Sequence, residues 1–192
     1  VSLIFEEGTE IAIAPLPLYH IFCLTATLSF MKWGSLNVLI TNPRDLPDLV
    51  KELGRWPWTI MTGVNTLFNG LLNTAGFERL DFSSLKAVIG GGAAVQKTVA
   101  ERWQQVTGCS ITEGYGLTEA SPVACANPIG TPWNGTIGIP YPSTELTIRD
   151  AVFDELPPWT GAGDIEKFTG ETCVRGPQLM KGYWNSPADT AK

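Results

Sequence analysis

Short apolar runs alternating with stretches of helical spacing constrain this chain more than any other feature. The runs fall at residues 10–15, 36–40, 58–62, 85–89 and around Ile111, and each is too short to be a core helix. Between them, residues 20–33 are mostly apolar and predict a buried helix closed by Gly34. Asp45 predicts a capped helix with Pro47 in its first turn and Leu46, Leu49, Val50 and Leu53 on one face. Residues 64–73 predict another helix. A further one carries Val95, Val99, Trp103 and Val106 on a single face and stops at Gly108. Strands separated by helices at these intervals make βαβ units, so the expected fold is α/β. It is a parallel sheet with flanking helices on both faces, in three layers.

The pattern changes after about Pro122. Residues 144–149 and 171–175 alternate with period two, and turn signals recur at Gly130, Pro132, Gly135, Pro140, Pro142, Pro157 and Pro158. The expected organisation is therefore an α/β subdomain over residues 1–121. A β-rich, partly barrel-like subdomain over residues 122–192 follows it, with a long loop across 150–170. Basic residues number 13 against 19 acidic ones, a net charge of −6. No basic stripe exists to follow a phosphate backbone, which excludes nucleic-acid binding as the main role. The apolar run between His20 and Lys32 is far shorter than the ~20 residues that span a bilayer. Charged residues make up 17%, below the usual ~25%, so faces of this chain are expected to need covering. That leaves room for a homo-oligomer or for peripheral membrane association. Cys23, Cys109, Cys125 and Cys173 form no C-x-x-C pair and are expected to be reduced cytoplasmic thiols.

Two segments carry the types of residue that bind nucleotides. Gly90-Gly91-Gly92-Ala93-Ala94 lies between a predicted strand and a predicted amphipathic helix. Such a run is either a tight βα turn or a place where a flat ligand or a phosphate approaches backbone N–H groups. It lacks the lysine of a phosphate-binding P-loop and the spacing of a dinucleotide fingerprint. Glu113-Gly114-Tyr115-Gly116-Leu117-Thr118-Glu119 follows the strand at Ile111. A tyrosine between glycines offers an open ring face for a planar base. Thr118 and Glu119 add a hydroxyl and a carboxylate, hard oxygen donors suited to phosphate and Mg²⁺. His20 is the only histidine, so neither a histidine-rich zinc site nor a His-based triad away from it can be built.

These strings resemble the adenylate-forming superfamily of acyl-CoA synthetases, luciferases and peptide-synthetase adenylation domains. Tyr115-Gly116-Leu117-Thr118-Glu119 is specific to that superfamily. Ile40-Thr41-Asn42-Pro43-Arg44-Asp45 and Gly63-Val64-Asn65-Thr66-Leu67-Phe68 are similar to its long-chain fatty acid–CoA ligase branch. The likeness continues through Pro17-Leu18-Tyr19-His20, Gly135-Thr136-Ile137-Gly138-Ile139-Pro140 and Gly182-Tyr183-Trp184-Asn185. It implies part of the large N-terminal domain of such an enzyme, using ATP, coenzyme A and a fatty acid as substrates and Mg²⁺ as cofactor.

The resemblance also implies site residues. Gly91, Gly92, Ala93 and Tyr115 would sandwich adenine, with Glu113, Gly114, Gly116 and Leu117 completing that surface. Thr118 would contact phosphate, Glu119 would hold Mg²⁺, and His20 would lie by the acyl carboxylate. Residues 64–68 and the helix from Ile21 would line the acyl tunnel, although as apolar stripes they serve equally well as core. The family's phosphate loop would lie before Val1, and its ribose aspartate, hinge and C-terminal lysine after Lys192. The chain is thus expected to be an internal, by itself inactive, segment of a longer ligase. The alternatives are a ligase for medium-chain or aryl acids and a non-catalytic nucleotide-binding module.

Overall fold

The computed structural model describes residues 4–191. The chain forms two compact units, Val1–Ile139 and Pro140–Lys192. In the first, the expected alternation appears as β1 (Ile11–Ala14), α1 (Ile21–Lys32), β2 (Leu36–Leu39), α2 (Leu46–Leu53), β3 (Ile60–Gly63) and α3 (Asn65–Leu72). It continues with β4 (Ala87–Gly90), α4 (Lys97–Thr107), β5 (Ile111–Gly116), β6 (Val123–Ala126) and β7 (Ile139–Pro140). The sheet runs in the order β2-β1-β3-β4-β5-β6-β7. β1 to β5 pair in parallel, and β5 pairs antiparallel with β6.

The chain steps from β1 out to β2 and then back past β1 to β3. Right-handed crossovers in opposite directions place helices on opposite faces. Accordingly, α2, α3 and α4 cover one face, where Leu49, Leu53, Leu67, Phe68, Leu71, Val99 and Trp103 pack on Ile13, Met61 and Val88. The opposite face carries a smaller cluster of Phe5, Ala12, Ile60 and Ala87 with Phe30 and Trp33 of the α1 region. Alternation along each strand sends neighbouring residues to the two faces, as in Ile60 and Met61.

Local chemistry fixes the helix ends. An Asp45 carboxylate oxygen accepts from the Asp48 N–H at 3.2 Å and caps α2, and Leu49, Val50 and Leu53 are the buried stripe. Gly108, at φ 74°, stops α4 in the left-handed conformation that suits a residue without a Cβ. Burial of α1 differs from expectation. Only Cys23 and Thr27 are buried, while Leu24, Leu28 and Met31 are exposed. Among the described residues of the unit, no other element covers the outer side of α1 at Leu24, Leu28 and Met31.

β5 also differs. The Glu113–Gly116 stretch, expected to follow the strand at Ile111, is itself part of that strand, because β6 returns alongside and pairs Gly114 with Ala126, Tyr115 with Cys125 and Gly116 with Val123. That pairing sets β6 in the first compact unit, which runs to Ile139. The second unit holds one antiparallel pair, β8 (Glu145–Arg149) and β9 (Glu171–Arg175), in register from Glu145 opposite Arg175 to Arg149 opposite Glu171. A 3-10 turn at Ile165–Phe168 and the short α5 (Pro187–Thr190) complete it. All four cysteines are free.

Candidate nucleotide-binding site

The sequence-predicted site residues of the first unit lie at or just beyond the carboxyl ends of the parallel-paired segments. His20 follows β1, Gly91, Gly92 and Ala93 follow β4, and Glu113 begins the last part of β5. The sheet order reverses between β1 and β3, and open α/β sheets bind ligands outside the carboxyl ends at such a reversal. The glycine turn lies one strand beyond that reversal, where register brings β3, β4 and β5 level, with Gly63 beside Gly90 and Gly90 beside Glu113.

Gly91 is where three elements meet. Its N–H donates to the Gly63 carbonyl at 3.3 Å. A Cβ at Gly91 would lie 3.3 Å from the Phe22 ring of α1 and 3.6 Å from the Gly114 carbonyl oxygen of β5. The residue must be small for the first turn of α1 and β5 to approach it this closely. Gly92 turns the chain at φ 75°, and Gly92, Ala93 and Ala94 are exposed. The result is a turn of small residues, open to solvent at Gly92, Ala93 and Ala94.

Glu113 stands beside Gly90 at the end of the parallel pairing of β4 with β5. Its Oε1 accepts from the Val95 N–H at 2.7 Å, so that oxygen holds the end of the glycine turn. Trp133 Nε1–H donates to the Val95 carbonyl at 3.1 Å. Asn65 Oδ1 accepts from the Gln96 N–H at 2.9 Å. Sequence reasoning missed Asn65 and Trp133 as members of the site. Their contacts span 31 and 38 positions, which no local pattern encodes.

Tyr115 is half-buried on β5, two positions from Glu113 and hence on the same strand face, with an irregularity in the pairing just after it. Gly116 allows the return of the chain: a Cβ there would collide with the Pro122 carbonyl, and the Leu117 N–H donates to that same oxygen at 2.9 Å. Thr118–Ala120 then forms a 3-10 turn anchored by buried Ala120. Thr118 is exposed on it and Glu119 is half-buried. His20 caps α1, with Nδ1 accepting from the Phe22 N–H at 3.2 Å, and its ring is exposed. A neutral His20 in that contact carries its proton on Nε2. Phe22 is also the residue whose ring stands beside Gly91, so the end of α1 that His20 caps adjoins the glycine turn. Among the described residues no group of three or more His, Cys, Asp or Glu side chains gathers to hold a metal.

Residues 2–184 match the model of the AMP-binding enzyme family. The chain belongs to that family. It is 50% identical over 189 residues to a long-chain-fatty-acid–CoA ligase of Escherichia coli O6:H1, covering 97% of this chain and 32% of the relative. Identity to the ligase of the same name from Bacillus subtilis is 36% over 187 residues, covering 97% and 32%. The chain therefore spans about a third of the length of the curated relatives it matches. In fold it is similar to an anthranilate CoA ligase solved with anthranoyl-AMP, at TM-score 0.84 and 23% identity, over 97% of this chain and 35% of that one. A benzoate CoA ligase from Burkholderia xenovorans gives 0.83 and 23% over 97% and 37%. The α/β sheet with flanking helices is thus that of this group of enzymes.

Proposed function

We propose that this chain supplies the nucleotide-facing part of a long-chain fatty acid–CoA ligase, which activates a fatty acid with ATP and passes the acyl group to coenzyme A. The observation that carries the reading is the meeting of a turn of small residues, exposed at Gly92, Ala93 and Ala94, with the Tyr115 strand at the carboxyl edge of the sheet. Gly91, Gly92, Ala93 and Tyr115 bind adenine between them, while Gly114, Gly116 and Leu117 shape the adjoining backbone. The Thr118 hydroxyl donates to a phosphate oxygen. His20, at the start of α1, lies by the carboxylate of the fatty acid. A long-chain acid is favoured over an aryl acid because identity falls from 50% to 29% between the long-chain ligase and a 4-coumarate-CoA ligase from Narcissus pseudonarcissus.

Mg²⁺ fits the donor set. It takes only one or two carboxylates when phosphates and water fill its other positions, and Glu119 with Thr118 on an accessible turn provides that. When bound, the ion neutralises charge as a carboxylate approaches a phosphate. The contribution of the chain is to fix the base, the phosphate and the acid relative to one another, so catalysis is positional and electrostatic, with no enzyme nucleophile. No helix among the described residues is long and apolar enough to cross a membrane. A cytoplasmic enzyme, peripheral to the membrane at most, accords with a fatty acid substrate. Glu119→Gln in the full-length gene product is expected to lower fatty-acid-dependent ATP–pyrophosphate exchange roughly 100-fold, the scale of losing one charge-stabilising group. Exchange at the wild-type rate would remove Glu119 from the chemistry.

A further inference from the structure

We propose that Trp133 and Glu113 are positioning residues for ATP, acting by gripping the two polar backbone groups of Val95 and so fixing the exposed turn at residues 91–94. The proposal rests on the reading that this turn faces adenine. The turn cannot hold itself. Gly92, Ala93 and Ala94 are exposed and carry no side chain able to hydrogen-bond, and the Gly91 N–H bond to Gly63 is long at 3.3 Å. Its anchor is Val95, a buried side chain at the junction with α4. The Val95 N–H is taken by the Glu113 carboxylate at 2.7 Å and its carbonyl by the Trp133 indole at 3.1 Å.

The two gripping residues belong to one assembly. The Glu113 carbonyl accepts from the Asn127 N–H at 2.9 Å. The Asn127 side chain in turn braces the loop that carries Trp133, donating from Nδ2 to the Thr136 carbonyl at 2.7 Å and accepting from Asn134 Nδ2 at 3.0 Å. Trp133 also packs against the main core, and its ring lies 3.2 Å from where a Gly135 Cβ would stand. A core-anchored indole and a strand-anchored carboxylate thus pull on Val95 from two sides. Neither needs to touch the nucleotide. Releasing either lets the turn sample other geometries, and the apparent affinity for the base falls with the fraction of time spent in the competent one.

The test uses the full-length gene product and reads KM for ATP, KM for the fatty acid and kcat in three variants. Trp133→Phe keeps the packing and removes the indole donor. Glu113→Ala removes the acceptor, and Glu113→Gln keeps one. Trp133→Phe and Glu113→Ala are expected to raise KM for ATP roughly five- to tenfold, the scale of one hydrogen bond. KM for the acid and kcat should stay within about twofold of wild type, and Glu113→Gln should return KM for ATP to that range. Tyr115→Ala, run alongside, separates the two ideas. If it raises KM for ATP while Trp133→Phe and Glu113→Ala do not, the grip on Val95 is wrong and the adenine reading stands. If none of the three raises it, both fall. Equal losses across all parameters, or Glu113→Gln behaving as Glu113→Ala, would also overturn the proposal. Should Glu113→Ala fail to fold, Trp133→Phe carries the comparison.

Discussion

Lys86→Met tests how the amino edge of the sheet, opposite the nucleotide site, is held. Glu10 sits just before β1 and is 1% exposed. Its Oε1 accepts from Lys86 Nζ at 2.6 Å and from the Glu6 N–H at 2.7 Å, whereas Oε2 has no hydrogen-bond partner. Lys86 precedes β4, so the pair reaches across β3 and ties the edges of two non-adjacent strands. Removing one partner of a fully buried pair costs about 3–5 kcal/mol. The Lys86 side chain is 36% exposed, so water already screens part of the pairing, and about 2–3 kcal/mol is the expected loss at pH 7.

The pH dependence gives the sharper check. Burial alone raises the pKa of Glu10, but the hydrogen bond from Lys86 leads the contacts that outweigh it, and the group ends below its usual value. In the wild type its contribution to stability is therefore complete above the ordinary carboxylate range and is lost as pH falls through the lower folded value. Without Lys86 the largest contact opposing burial is gone and the folded pKa rises, although the contacts with Thr59 and the Glu6 N–H remain. The variant's deficit should then be largest at pH 7 and shrink toward pH 4, as Glu10 becomes neutral. Urea unfolding followed by tryptophan emission at several pH values measures this, and Glu10→Gln combined with Lys86→Met should recover much of the loss. A deficit that does not change between pH 7 and pH 4, or a double variant no better than the single one, would refute the reasoning.

Two further expectations concern the core. Phe68, fully buried with its ring centroid 4.9 Å from that of Trp103, should cost about 3–5 kcal/mol when changed to Ala, read from the same urea curves; a loss under about 1 kcal/mol would mean the site collapses freely. Burial raises the thiol pKa of Cys23, Cys109 and Cys125, so these groups should react slowly with Ellman's reagent at pH 8 in the native protein and fully in urea. Immediate native labelling of Cys23 would contradict its place on the buried face of α1.

Much of this architecture was legible in the residues because the signals are local. Asp45 with Pro47, the Leu49–Leu53 stripe and Gly108 each mark a helix by chemistry within one or two turns, and the structure has them where expected. Exposure of Leu24, Leu28 and Met31 was not legible, since an apolar helix reads the same whether or not anything covers it. Glycines at 114 and 116 hid how far β5 extends beyond Ile111. Only the partner strand, with Ala126 and Val123 opposite them, carries it that far. For the candidate site, the motifs pointed to the glycine turn and to Tyr115. The grip of Glu113 and Trp133 on Val95 depends on contacts between distant segments that meet only after folding.

The central claim is that adenine is read at the carboxyl edge by the turn after β4 and by the Tyr115 segment. Photolabelling of the full-length gene product with 8-azido-ATP tests it most directly. Trypsin cleavage after Lys86, Lys97, Arg102 and Arg149 separates the two segments into distinct peptides. The label is expected on the peptide spanning residues 87–97 or on that spanning 103–149, and excess ATP should abolish it. ATP-protected label confined to other peptides would contradict the account.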